Sequence, residues 1–227
     1  MVWICRRSSS VQFSQRWCWF AARCRPWRRQ RSKPAEVISA PDIQYPIRSI
    51  ADGVVVLDVS LDATGGIAGV HVVRDIPSLT SAAASSMPSW KFSPALLQGK
   101  PQPSTMRIAV VFRPTSYLAA GPAFTAVPAQ DAPDQTHRGD ALPGIMSAVY
   151  PLYPINAAMP GAVIIQVMIG KTGGIQRTKV VRELPPFTQF GLNALHRWQF
   201  QPATVDGNPV ISNLAIALVF APLQATE

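Results

Sequence analysis

Val55, Leu57, Val59 and Leu61 alternate with Val54, Val56, Asp58 and Ser60, and the same rhythm returns at Val163, Ile165, Val167 and Ile169. A two-residue apolar period predicts a strand with one well-defined core face. Thr64-Gly65-Gly66 and Thr172-Gly173-Gly174 follow these runs. Glycine tolerates positive φ, so a tight hairpin turn is predicted at each place. The second strands then run from Ile67 to Arg74 and from Ile175 to Arg182. In the first of them the apolar spacing Ile67, Val70, Val72 slips by one residue, which predicts a β-bulge near Gly69.

The period then lengthens. Leu79, Ala82, Ala83, Ser86, Met87 and Trp90 lie on one face of a helical repeat, as do Phe187, Phe190, Gly191, Ala194, Leu195 and Trp198. Each run follows prolines, Pro77 or Pro185-Pro186, where a missing backbone N–H costs a helix little. The first helix is the weaker, with the smaller apolar face and Pro88 in its last turn. A final strand carries Met106, Ile108, Val110 and Phe112 in one copy and Leu214, Ile216, Leu218 and Phe220 in the other.

These matches share one offset: Tyr45-Pro46 returns as Tyr153-Pro154, and 153 − 45 = 108. Roughly 27 of about 70 positions from Tyr45 to Pro114 recur without a gap, so a module has been duplicated. The predicted architecture is α+β: two tandem ββαβ modules, each a three-stranded antiparallel sheet of order 2-1-3 with one helix on one face. Trp90, Phe92, Trp198 and Phe200 are the expected core anchors that close helix onto sheet. The expected divisions are a head (1–39), a first module (40–115), a linker (116–148) and a second module (149–227). Pro122, Pro128, Pro133, Pro143, Gly121, Gly139 and Gly144 make the linker read as extended chain.

Composition changes this picture only at the N-terminus. The 227 residues are 48% hydrophobic and 15% charged, a globular balance, with a net charge of +9. Arg6, Arg7, Arg16, Arg23, Arg25, Arg28, Arg29, Arg31 and Lys33 all precede the first acid, Glu36. The repeated body is therefore near neutral, with no stripe for phosphate, and nucleic acid is not an expected partner. The head also holds Cys5, Cys18 and Cys24, in no CxxC or zinc spacing. Three readings of it stay open: a basic arm touching anionic lipid, a degraded export or anchor segment, or a start assigned upstream of the true one. Membrane contact is expected only through this head.

Catalytic chemistry finds no foothold. Gly170-Lys171-Thr172 resembles the end of a phosphate-binding loop, but Ile165 stands where the leading glycine is needed and no helix follows. His71, His137 and His196 are isolated and read as solvated surface positions. No nucleophile elbow, triad spacing or carboxylate pair is present, so neither an enzyme nor a cofactor or metal is expected.

The ordered set of a Tyr-Pro opening, Gly53, Thr-Gly-Gly, Trp-x-Phe-x-Pro-Ala, Gly-x-Pro and a last strand closing on Phe resembles the C-terminal domain of TonB, the periplasmic energy transducer of Gram-negative bacteria. The likeness covers each module end to end. The segment after Tyr-Pro is abbreviated (Ile47 to Asp52, Ile155 to Pro160), and neither a membrane helix nor a long Pro-rich spacer is read in this sequence. The resemblance implies a periplasmic protein that binds an extended peptide of an outer-membrane transporter or envelope partner by strand addition, in energy-dependent transport. The alternative is a structural or assembly module without energy transduction.

The expected peptide-binding edge is Leu214, Ala215, Ile216, Ala217, Leu218, Val219 and Phe220, which carries no Lys, Pro or inward charge. Beside it the outward face of the second copy, with Ile164, Met168, Ala215, Ala217 and Val219, is apolar except for Gln166. A secondary edge is Arg107, Ile108, Ala109, Val110 and Val111, where Arg107 is expected to discourage pairing. The strand added to the second copy would come from a receptor peptide or from the first copy itself, giving a six-stranded sheet; a homodimer is a further possibility.

Overall fold

A computed structural model describes residues 32–46, 49, 51–113, 122–124, 140–152 and 160–221. Cys5, Cys18, Cys24 and His137 lie outside the described residues. Both copies belong to one compact unit, Arg31–Glu227.

The first half comprises β1 (Ser32–Lys33), β2 (Glu36–Ser39), β3 (Gly53–Leu61), β4 (Ile67–Arg74), α1 (Pro77–Ser86), β5 (Lys91–Ser93), β6 (Ala95–Leu97), β7 (Lys100–Gln102) and β8 (Ser104–Arg113). After β9 (Pro122–Phe124) the second half repeats the order: β10 (Gly144–Val149), β11 (Gly161–Ile169), β12 (Ile175–Arg182), α2 (Phe187–Leu195), β13 (Gln199–Gln201), β14 (Ala203–Val205), β15 (Asn208–Val210) and β16 (Ser212–Phe220). The protein is α+β, mostly strand with two helices.

The long strands do not form two separate sheets. They make one six-stranded sheet of order β12-β11-β16-β8-β3-β4. Within each half the order is second, first, last, and all pairings are antiparallel. The junction between halves, β16 with β8, is parallel. A parallel junction between equivalent strands relates the halves by a half-turn about the strand direction, which sends their helices to opposite faces. The core confirms this. Leu79 and Ala83 of α1 cluster with Val55, Leu57 and Val59, whereas Phe187 and Leu195 of α2 cluster with the opposite parity, Val54 and Val56, beside Val163, Ile165 and Val167. The result is three layers: α1, β2 and β5 on one face, the sheet, and α2, β10 and β13 on the other.

Each outer layer thus spans both halves of the sheet. The apolar outward face of the second copy, Ile164, Ala215, Ala217 and Val219, is covered by the first copy's Ala35, Val37 and Ile43. The outward face of the first copy, Val54, Val56, Ala109 and Val111, is covered by Ile145, Ala148 and Tyr150. Two expectations change here. Glu36–Ser39, assigned to the head, is a strand with Val37 fully buried, and Gly144–Val149, assigned largely to the linker, is another. Both are drawn in because a bare apolar sheet face is costly in water.

Smaller features follow local chemistry. The hairpin after β3 carries its extra residue at Ala68, between the pairs Ser60↔Gly69 and Leu61↔Ile67, next to the expected bulge. Gly65 and Gly173 have φ of 88° and 84°, and a Cβ there would lie 2.5 Å and 2.3 Å from the carbonyl oxygens of Phe92 and Phe200. Only glycine meets both demands. The helices end before their tryptophans: α1 gives way to a 3-10 turn, Met87–Ser89, at Pro88, and Trp90 and Trp198 close on Met87 and Leu195 carbonyls. Trp90, Phe92, Trp198 and Phe200 are all buried.

Candidate functional site: the paired last strands and the two outer edges

The strands expected to present open edges lie side by side. Leu214, Ala215, Ile216, Ala217, Leu218, Val219 and Phe220 stand opposite Arg107, Ile108, Ala109, Val110, Val111, Phe112 and Arg113 in uninterrupted register. The other side of β16 pairs with β11, and the other side of β8 with β3. Both strands are interior, buried on both faces, and their ladders are taken up within the chain. A near-continuous apolar run is what a parallel junction covered on both faces requires.

Arg107 does not guard an edge as expected. Its guanidinium meets the Asp58 carboxylate with two bonds, Nε to Oδ1 at 2.8 Å and Nη2 to Oδ2 at 2.9 Å, while Nη1 donates to the Pro143 carbonyl at 3.0 Å. The bidentate geometry neutralises both groups where water is excluded. The charge that was to repel a neighbouring strand instead holds the segment leading into β10. At the matching positions the second copy has Gln166 and Ala215, and Gln166 Oε1 accepts the Val37 N–H at 2.7 Å.

Further hydrogen bonds cross between the halves. Asn213 Nδ2 donates to the Ala35 carbonyl (2.8 Å), Lys179 Nζ to the Val37 carbonyl (3.0 Å) and the Ala162 N–H to Asp42 Oδ1 (2.8 Å). In the other direction the Tyr150 hydroxyl donates to Asp52 Oδ2 at 2.9 Å, and the Arg113 guanidinium lies 5.2 Å over the Tyr150 ring. Burial first, then the Asp52 carboxylate, pushes the Tyr150 hydroxyl well above its ordinary value, with Arg113 opposing in part. Sequence reasoning missed β2 and β10, although the 108-residue offset continues upstream of Tyr45: Val37-Ile38-Ser39 matches Ile145-Met146-Ser147.

With the last strands paired, β4 and β12 are the outermost strands of the sheet, and among the described residues neither pairs on its outer side. Ala68 to Val72 on β4 and Gln176 to Lys179 on β12 are exposed. His71 sits on the β4 edge opposite Asp58 in register, and His196 caps α2 at the surface. A cavity of about 90 Å³ lies where the two halves meet, lined by the offset-related pairs Pro34 and Leu142, Ala95 and Ala203, Ser104 and Ser212. None of its lining residues is charged, and it has room for a few waters. Among the described residues no cluster of His, Cys, Asp or Glu could hold a metal, and no helix is long and apolar enough to cross a membrane.

Among the described residues the conspicuous features of this duplicated α+β sheet are its backbone ladders and its buried anchors. The chain belongs to the family of Gram-negative bacterial TonB protein C-terminal domains, which matches residues 41–114 and 147–222 and so takes in both copies. That family is one of envelope protein-interaction domains, not of enzymes. No curated protein and no solved structure matches the chain.

Proposed function

We propose that this chain is a non-enzymatic interaction module of the Gram-negative cell envelope in which each copy occupies the strand edge that a guest would otherwise take on the other. The observation that carries this reading is the seven-residue parallel pairing of Leu214–Phe220 with Arg107–Arg113. An added strand supplies main-chain hydrogen bonds to an unpaired edge. Here the last strands have no unpaired side, so a peptide at Leu214–Phe220 must first displace β8. That displacement uncovers apolar residues on both faces, including Ala109, Val111, Ala215 and Ala217. An assembly role, with the module acting as a prepaired unit, follows most directly.

Family membership supports a second reading, in which the peptide of an outer-membrane transporter adds to Leu214–Phe220 during energy-dependent transport. The two make opposite forecasts for amide exchange. Under the assembly reading, Arg107–Arg113 and Leu214–Phe220 keep their protection when an extended transporter-type peptide is added in excess. Under the transport reading, the peptide strips protection from those Arg107–Arg113 amides that face β16 while Leu214–Phe220 stays protected. That second outcome would overturn the assembly reading.

A further inference from the structure

The duplication supplies an internal control for the two remaining edges. β4 and β12 hold the same place in the same fold, at opposite ends of one sheet. Their exposed positions differ one by one: Ala68, Gly69, Val70 and His71 on β4 correspond to Gln176, Arg177, Thr178 and Lys179 on β12. The β12 edge is guarded in the usual way, by cations that make strand addition unfavourable. It is also held from within, since Lys179 reaches back to the Val37 carbonyl and Arg182 Nε lies 3.6 Å from Asp42. On β4 the cations Arg177 and Lys179 give way to Gly69 and His71, while Arg74 matches Arg182.

Two details show that β4 is more than unguarded. Val70 and Val72 are each 38% exposed, a pair of large apolar side chains on one side of the strand. Gly69 has neither a positive φ nor any atom within 4 Å of where its Cβ would be, so no strain and no crowding call for glycine there. Its effect is to leave the outer backbone bare for close approach.

We infer that the outer edge of β4 pairs with β4 of a second copy of this chain, antiparallel about His71, joining two six-stranded sheets into one of twelve. The strand is self-complementary about that point. With His71 opposite its own counterpart, Val70 of each copy faces Val72 of the other, within the regular stretch Gly69–Val72 that lies between the extra residues Ala68 and Val73. Arg74 lies beyond that stretch, at one end of each strand and away from its own counterpart, so no two arginines meet. All four exposed valines become cross-strand neighbours on one side, the arrangement that stabilises antiparallel pairs. The same operation on β12 would set Lys179 against Lys179, with Arg177 and Arg182 close by. A two-fold pairing of this kind closes on itself, leaving the β12 edges outermost, where their charges block further growth.

The test is sedimentation of the full chain across a concentration series, beside a variant in which β4 carries the β12 residues: Gly69→Arg, Val70→Thr and His71→Lys. The substitutions sit at exposed positions and the second copy folds with those side chains, so circular dichroism and thermal midpoint are expected to stay as in the parent. The parent is expected to show a concentration-dependent dimer, and the variant to weaken association by at least about tenfold. Should the triple variant unfold, Val70→Thr alone, which keeps the branched shape, is expected to weaken association in the same direction. A parent that stays monomeric throughout the series, or folded variants that dimerise as the parent does, would overturn the inference. A monomeric parent would leave the edge to a strand of a different protein.

Discussion

At equivalent positions of the central sheet the first copy buries an ion pair, Asp58 with Arg107, and the second buries Gln166 beside Ala215. Both do the same work. Each captures the strand that leads into the opposite module, Arg107 through the Pro143 carbonyl and Gln166 through the Val37 N–H. The duplication kept the task and let the chemistry diverge, which shows that the clasp between halves, rather than a particular pair of side chains, is what the fold needs. A charged clasp and a neutral one fail differently when cut, and the difference can be measured.

Arg107→Ala is expected to cost about 3–5 kcal/mol, because it strands the Asp58 carboxylate in a dry interior. Transplanting the second copy's solution, Asp58→Gln with Arg107→Ala, is expected to recover more than half of that loss in equilibrium unfolding. Recovery near zero would mean that the two clasps are not equivalent. Gln166→Ala removes one neutral acceptor and leaves the Val37 N–H unsatisfied, so about 1–3 kcal/mol is expected.

The tryptophans extend the comparison. Trp198 Nε1 donates to the Val149 carbonyl at 3.0 Å, whereas Trp90 Nε1 has no partner among the described residues. Either Trp→Ala change is expected to cost about 3–5 kcal/mol through lost packing. Trp→Phe is expected to be costlier at 198 than at 90 by about 1 kcal/mol, the worth of one hydrogen bond. Equal losses would assign no role to that bond in fastening the end of β10.

The smallest expected effect concerns pH. The fold holds Tyr150 as neutral phenol, donating to Asp52, and so raises its pKa above the ordinary 10.0. The stability this contributes is complete below pH 10 and is lost as pH rises above it. Position 150 corresponds to Asp42 and position 52 to Pro160, so the second copy has no such link. Tyr150→Phe is therefore expected to flatten the alkaline fall of the thermal midpoint above about pH 10. An unchanged fall would place the alkaline sensitivity elsewhere, Tyr45 being next, since burial raises its pKa as well.

Much of the fold was legible because its signals are local. Alternation in Val55 to Leu61, the glycine pair of each hairpin, the helical stripe ending on Trp and the 108-residue offset each follow from a few neighbouring residues. The union of the halves was only half legible. Ala215, Ala217 and Val219 announced an apolar outer face, but whether it met a guest, a second chain or the other copy is decided by long-range pairing that no local period encodes. Arg107 misled for the same reason. Read alone it is a guard against pairing, and only its cross-strand register with Asp58 turns it into a clasp. The clasping strands were hidden because they are short and set between prolines, Pro34 and Pro41 about β2 and Pro143 and Pro151 about β10. The guarded and unguarded outer edges, by contrast, were open to inspection as soon as topology made β4 and β12 the ends of the sheet.

The most direct measurement is the pattern of interstrand proton contacts in solution around Ala109 and Ile216. A parallel ladder in the register Ile216↔Ala109 and Ala217↔Val110 brings backbone amide and α protons of β8 and β16 within nuclear Overhauser range along the whole run from Arg107 to Arg113. The expected result is a continuous series of such contacts in the free protein. Contacts from β16 to β11 and from β8 to β3 alone, with rapid exchange of those Arg107–Arg113 amides that do not face β3, would show two separate three-stranded modules and contradict the paired sheet.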